Sequence, residues 1–157
     1  MIQDIIEAQK NNPELQNTIN IQELLQSNES VSYMQNKSLE SFAEEIFELL
    51  KEEYGEQYPE FVKNALYKLK DYRFVENICD LHKGKHIRWI RMHKYPSLTN
   101  GGLVMDIKFT QTGIQILAKS KTNRFMQVKY DDCLFFQKLS EDELAILGLQ
   151  ELALSSS

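Results

Sequence analysis

The chain has 157 residues, 42% of them hydrophobic and 26% charged, and a net charge of −5. That length suits one domain, with or without helical additions, able to bury about 70% of its unfolded surface. No apolar run approaches the roughly 20 residues of a membrane-spanning helix, and two cysteines, Cys79 and Cys133, are too few for a disulfide framework.

No N-terminal segment combines a charged start, an apolar middle and a small-residue cleavage site, so no secretory signal is read. An intracellular, reducing setting with free thiols is expected, with no membrane partner.

The net charge hides a sharp division. Residues 1–80 hold 16 acidic against 7 basic side chains, residues 81–140 hold 11 basic against 3 acidic, and residues 141–157 add four acids and no base. Such an asymmetry between segments points to a dedicated electrostatic surface.

In chain order, 2–11 and 14–26 read as two short amphipathic helices, separated by Pro13. Both would be marginal alone, so they are expected to dock on the body of the protein or on a partner. Residues 27–37 are rich in Ser and Asn and read as a loop. The next helix carries a capping box at Ser41-Phe42-Ala43-Glu44, with Ser38 as the competing cap, and Gly55 is expected to end it in a left-handed conformation. Pro59 suits the first turn of a second helix, whose apolar stripe runs through Tyr72, Val75 and Ile78 to about His82.

Beyond Gly84 the period changes from helical to two. Strands are expected over 86–95, 103–111, 114–119, 124–130 and 133–138. Asn100-Gly101-Gly102, Thr112-Gly113 and Asp131-Asp132 serve as turns. In the second strand, Leu103, Met105, Ile107 and Phe109 are expected on one face, with Val104, Asp106, Lys108 and Thr110 on the other.

A second capping box, Ser140-Glu141-Asp142-Glu143, opens a last helix through about Leu152. The predicted fold is α+β. Residues 1–37 are peripheral, and 38–154 form one domain. Within it, a helical hairpin (38–84) packs on a five-stranded antiparallel curled sheet or small SH3-like barrel (85–139), closed by the helix 140–154.

The basic, aromatic strand is the main chemical signal. Lys85, Arg88, Arg91 and Lys94 are placed to neutralise phosphates, and Trp89 or Tyr95 to stack on an unpaired base. Lys108, Lys119, Lys121, Arg124 and Lys129 sit on later strands or turns of the same sheet. The expected function is a non-enzymatic module that binds RNA or single-stranded DNA, with no cofactor. The alternative is a protein-interaction or assembly component that docks or self-associates through residues 1–37.

Two further constellations carry side chains of catalytic or metal-binding type. Cys79, His82, His86 and His93 are of zinc-ligand type, but they match no finger spacing, and flanking lysines oppose a dication. Asp106, with Gln127-Val128-Lys129 on a later strand, resembles the acid-plus-(E/Q)xK pattern of the restriction-type nucleases. That resemblance implies a metal-holding carboxylate, a lysine that orients water, and Glu76 as a further acid. The chain departs from it by a whole intervening strand, 114–119, and by lacking the parallel strand that should come after the last helix. A metal-dependent nuclease is therefore the remote alternative.

Overall fold

A computed structural model describes residues 33–155; the helices expected over 2–11 and 14–26, and most of the loop 27–37, lie outside them. The described residues form two compact units, 39–141 and a second containing 33–38 with 142–155. Among the described residues the architecture is α+β, with three α-helices and a six-stranded antiparallel sheet. No helix among the described residues is long and apolar enough to cross a membrane.

Helix α1 spans Leu39–Tyr54 and buries Phe42, Ile46, Leu50 and Tyr54 on one stripe. It begins at Leu39, so Ser38, the competing cap, stands at the N-cap and Ser41 lies inside the first turn. Gly55 ends it, but not through a left-handed conformation. A Cβ there would collide with the Lys51 carbonyl oxygen, so the requirement is close backbone approach. Helix α2 (Pro59–Lys68) starts at the expected proline and meets α1 through an edge-to-face contact of Phe61 on Tyr54 at 5.4 Å.

The second helix does not reach His82. It stops at Lys68, and Asp71 takes φ +64, which no helix continues through. Tyr72–Phe74 then forms β1, and Ile78–Asp80 a single 3-10 turn. Aromatic residues favour strands, and the apolar stripe that looked helical is shared out: Tyr72 packs beneath the helices while Val75 enters a different cluster.

The other strands are β2 (His86–Arg91), β3 (Gly102–Thr110), β4 (Gly113–Lys119), β5 (Phe125–Lys129) and β6 (Cys133–Lys138). Their order is β1-β6-β2-β3-β4-β5, so the sheet has six strands rather than five, and no ladder joins β1 to β5. It curls strongly. Lys129 and Cys133 are joined through Tyr130–Asp132 alone, a span of about 14 Å at full extension. Four steps of a flat sheet between β6 and β5 would need about 19 Å.

The curl creates an inner and an outer face. Inside, Ile87, Trp89, Val104, Ile116, Ala118, Val128, Cys133 and Phe135 form one core. Outside, α1 and α2 cover β1, β6 and β2 through Tyr72, Ile90, Leu134 and Phe136. No residue of β3, β4 or β5 belongs to that helix-covered cluster.

The alternation expected in β3 is broken by a bulge at Met105: Val104 pairs with Ala118, but Asp106 already pairs with Leu117. An extra residue reverses the parity of the strand beyond it. Val104 and Ile107 therefore share the inner face, and Leu103 and Asp106 the outer one.

In the second unit, helix α3 runs over Glu141–Ser155, beginning directly after Ser140. Tyr33 Oη donates to the Glu143 carboxylate at 2.5 Å.

Glycines at positive φ give a direct test. Gly84 (φ +82) has open space around a notional Cβ, whereas Gly101 (φ +75) would drive one into the Ile87 carbonyl oxygen. Gly84→Ala is expected to cost about 1–2 kcal/mol from backbone conformation alone. Gly101→Ala should cost at least ~3 kcal/mol, because the strand must also move. Urea unfolding of the two variants measures the difference, and equal losses would contradict it.

Candidate nucleic-acid interface

Directly paired residues in an antiparallel sheet present their side chains to the same face. On the outer side of β3-β4-β5 this gives three rows. Leu103, Lys119 and Phe125 lie in one, Asp106, Leu117 and Gln127 in the next, and Lys108, Gln115 and Lys129 in the third. Phe125 is 60% exposed, and Lys119 Nζ lies 5.8 Å from its ring centroid. Lys121 and Arg124, both exposed, sit on the turn immediately beside this pair. The turn is held by Ser120 N–H to the Arg124 carbonyl at 2.8 Å and Asn123 N–H to the Ser120 carbonyl at 3.0 Å.

Asp106 is the one acid in these rows, and it is occupied. Lys83 Nζ lies 3.2 Å from its Oδ1, which also accepts the Ile107 N–H at 2.9 Å. Those two hydrogen bonds, Lys83 first, hold its carboxyl below the usual range. The face is cationic, with exposed apolar groups among the charges.

The other predicted site residues are not brought together with this face. Trp89 is 2% exposed and lies against Phe135, ring centroids 5.9 Å apart. It fills the inside of the curl and has no surface on which a base can stack. Arg88 is engaged by its own fold. Nε donates to the Thr99 carbonyl at 2.9 Å, Nη1 to the Lys68 carbonyl at 3.4 Å, and Nη2 to Asn100 Oδ1 at 3.4 Å. It thereby places a positive charge at the C-terminal end of α2 and ties down the 99–100 loop, two structural duties. Lys85 is half-buried at the start of β2, its carbonyl accepting the Val104 N–H at 2.9 Å.

Arg91 and Lys94 are exposed and lie off the rows, at a cleft of about 460 Å3 that adjoins them through Gln127 and Lys129 and also holds His93. Tyr95 is 80% exposed, and its ring meets Tyr58 edge-on at 5.1 Å.

Sequence reasoning named Lys129 among the basic residues of this sheet but missed Phe125 as the exposed aromatic and Gln127 as a neighbour on the same face. The signal was present: Val128 is an obvious inward residue, and a period of two then sends 125, 127 and 129 outward.

The candidate metal ligands do not converge. Among the described residues no three His, Cys, Asp or Glu side chains are grouped to hold an ion. His86 Nδ1 lies 2.9 Å from Tyr72 Oη, and Gln137 Nε2 lies 3.5 Å from His82 Nδ1 while its Oε1 accepts the His82 backbone N–H at 2.8 Å. The nuclease-like pattern fares similarly. Asp106 and Gln127 share a face but flank Leu117, about 10 Å apart by strand spacing, in a sheet that is antiparallel throughout. Glu76 is exposed just past β1, where its carbonyl accepts the Tyr130 hydroxyl at 3.4 Å, and among the described residues it joins no cluster with Asp106 that could hold a metal.

The chain matches no protein-family model, no curated protein and no solved structure.

His86 offers a probe of this geometry. Burial, then the charges of Arg88, Lys138 and Lys121, push its pKa below the ordinary 6.5. A folded-state pKa below the unfolded one means that the neutral ring is favoured. The associated stability is therefore present above pH 6.5 and is lost as pH falls through the folded pKa. An NMR titration of the His86 ring should show a midpoint below the ordinary 6.5, and His86→Gln should flatten the acid limb of the stability curve. A His86 midpoint at or above 6.5 would contradict the assignment.

Proposed function

We propose that the chain is a binding module without catalytic activity, which holds single-stranded nucleic acid on the outer face of β3-β5. The five strands β6-β2-β3-β4-β5, with one 3-10 turn joining β5 to β6, support its description as an SH3-like small barrel with β1 added at the β6 edge. On this reading Lys108, Lys119, Lys121, Arg124 and Lys129 neutralise phosphates, and Phe125 supplies the flat surface on which a base stacks. A ring already in contact with a lysine pairs apolar stacking area with local positive charge, as single-strand binding requires.

The observation that carries the reading is the Lys119–Phe125 pair beside Lys121 and Arg124, on the part of the sheet that the acidic helix α1 leaves uncovered. Arg88 and Trp89 are reassigned to the fold.

A second reading is favoured by Leu103 and Met105, each 44% exposed. Apolar groups among cations also suit an acidic, amphipathic partner protein. Leu103→Ser separates the two, because it removes apolar area without altering charge or the stacking ring.

Fluorescence anisotropy with a labelled single-stranded oligonucleotide at about 50 mM salt tests the proposal. Phe125→Ala should weaken binding about tenfold, the loss of one stacked base. Lys121→Ala and Arg124→Ala should each lower the log–log salt slope by about 0.7. Leu103→Ser should leave affinity within about twofold. No measurable affinity at that salt concentration would end the nucleic-acid reading.

A further inference from the structure

The curl of the sheet leaves a second site at one end, separate from the Lys119–Phe125 pair. There Arg91 of β2 stands opposite Cys133 of β6, both on the inward side, and with Met92 and Val128 they line the cleft of about 460 Å3. His93, Lys94, Gln127 and Lys129 complete the wall. Arg91, Lys94 and Lys129 form no ion pair among the described residues, although Asp132 also borders the cleft. Three cations around one concavity without a carboxylate partner suit a multiply charged anion.

The rest of the lining says more about the ligand. Met92 and Val128 are apolar, and burial pushes the Cys133 thiol up to about 11, so it stays neutral and adds no repelling charge. A bare inorganic anion would leave that surface unfilled. The volume falls within the span of about 300–1,000 Å3 typical of small-molecule sites, and the Gln127 amide supplies both a donor and an acceptor for a polar ring edge. Gln127 and Lys129 also belong to the outer-face rows, so the cleft adjoins that face at the edge of β5.

We propose that this cleft binds a nucleoside phosphomonoester, with Arg91, Lys94 and Lys129 on the phosphate and the nucleoside body over Met92 and Val128. The phosphomonoester is either a free mononucleotide or the terminal nucleotide of a strand. The second source rests on the outer-face reading; the first does not.

The test titrates the full chain with AMP, adenosine and inorganic phosphate, monitored by amide NMR shifts and calorimetry. AMP is expected to bind one to one and shift residues 91–94 and 127–133, with adenosine and phosphate at least tenfold weaker. Arg91→Gln and Lys129→Gln should each weaken AMP tenfold or more, while Phe125→Ala should not change it. A second arm compares oligonucleotides with and without a terminal phosphate. A gain of fivefold or more that vanishes in Arg91→Gln assigns the terminal nucleotide as the source, and equal affinities with AMP still bound assign the free mononucleotide. Absence of AMP binding, or AMP affinity unchanged in both Gln variants, overturns the proposal. AMP binding without any oligonucleotide affinity would leave the cleft standing and remove the outer-face reading alone.

Discussion

Strand β6 must be satisfied on both sides at once, and the rest of the unit is arranged around that requirement. Its run Cys133-Leu134-Phe135-Phe136-Gln137 is buried throughout. Phe135 points inward against Trp89, and Phe136 points outward beneath the helices, with Phe74 beside it at 5.7 Å. Each Phe is worth about 1.5–3 kcal/mol of burial. A strand buried on both faces needs a curled sheet to enclose one side and helices to cover the other. That is why β1 and β2 flank it and why α1 and α2 lie over this half of the sheet.

The uncovered half results from the same constraint. The helices cover what β6 and its neighbours expose, and they do not extend over β3, β4 and β5. The outer rows of these strands meet water, and they hold three lysines and a phenylalanine among neutral residues, with a single acid, Asp106, that Lys83 occupies. Meanwhile the glutamates of α1 remain on the helix's own solvent side, where Glu44, Glu45, Glu48, Glu52 and Glu53 are all exposed. The charge asymmetry along the sequence thus has a structural counterpart. The basic segment is divided, however, into an outer face, a cleft and a set of structural cations rather than gathered on one platform.

Some elements were legible in the residues and others were not, for physical reasons. Pro59 at the start of α2, the positive φ of Gly101 and the strands β4 and β6 were legible because local chemistry and tertiary environment agree there. β1 was hidden, because Tyr72, Val75 and Ile78 fit a helical spacing equally well and only Asp71 at φ +64 breaks it. The bulge at Met105 was hidden because an inserted residue leaves an apolar–polar alternation looking regular. Trp89 looked like a stacking ring since its neighbours, Arg88 and Arg91, are cationic. Yet strand parity puts it opposite Phe135, inside, and Arg88 on the helix-covered side. Basic composition pointed to the segment that carries the candidate site. It did not distinguish an arginine held by the Thr99 and Lys68 carbonyls from a lysine open to solvent.

The central claim is that the uncovered outer face of β3-β5 is where a polyanion binds. Its most direct test is a titration of isotope-labelled protein with a short single-stranded oligonucleotide, read by amide shifts at low salt. The account predicts the largest changes at residues 117–129, fading with added salt, and little change over 39–68 of α1 and α2. Shifts confined to those helices, or a spectrum left unmoved at every residue of β3-β5, would contradict it.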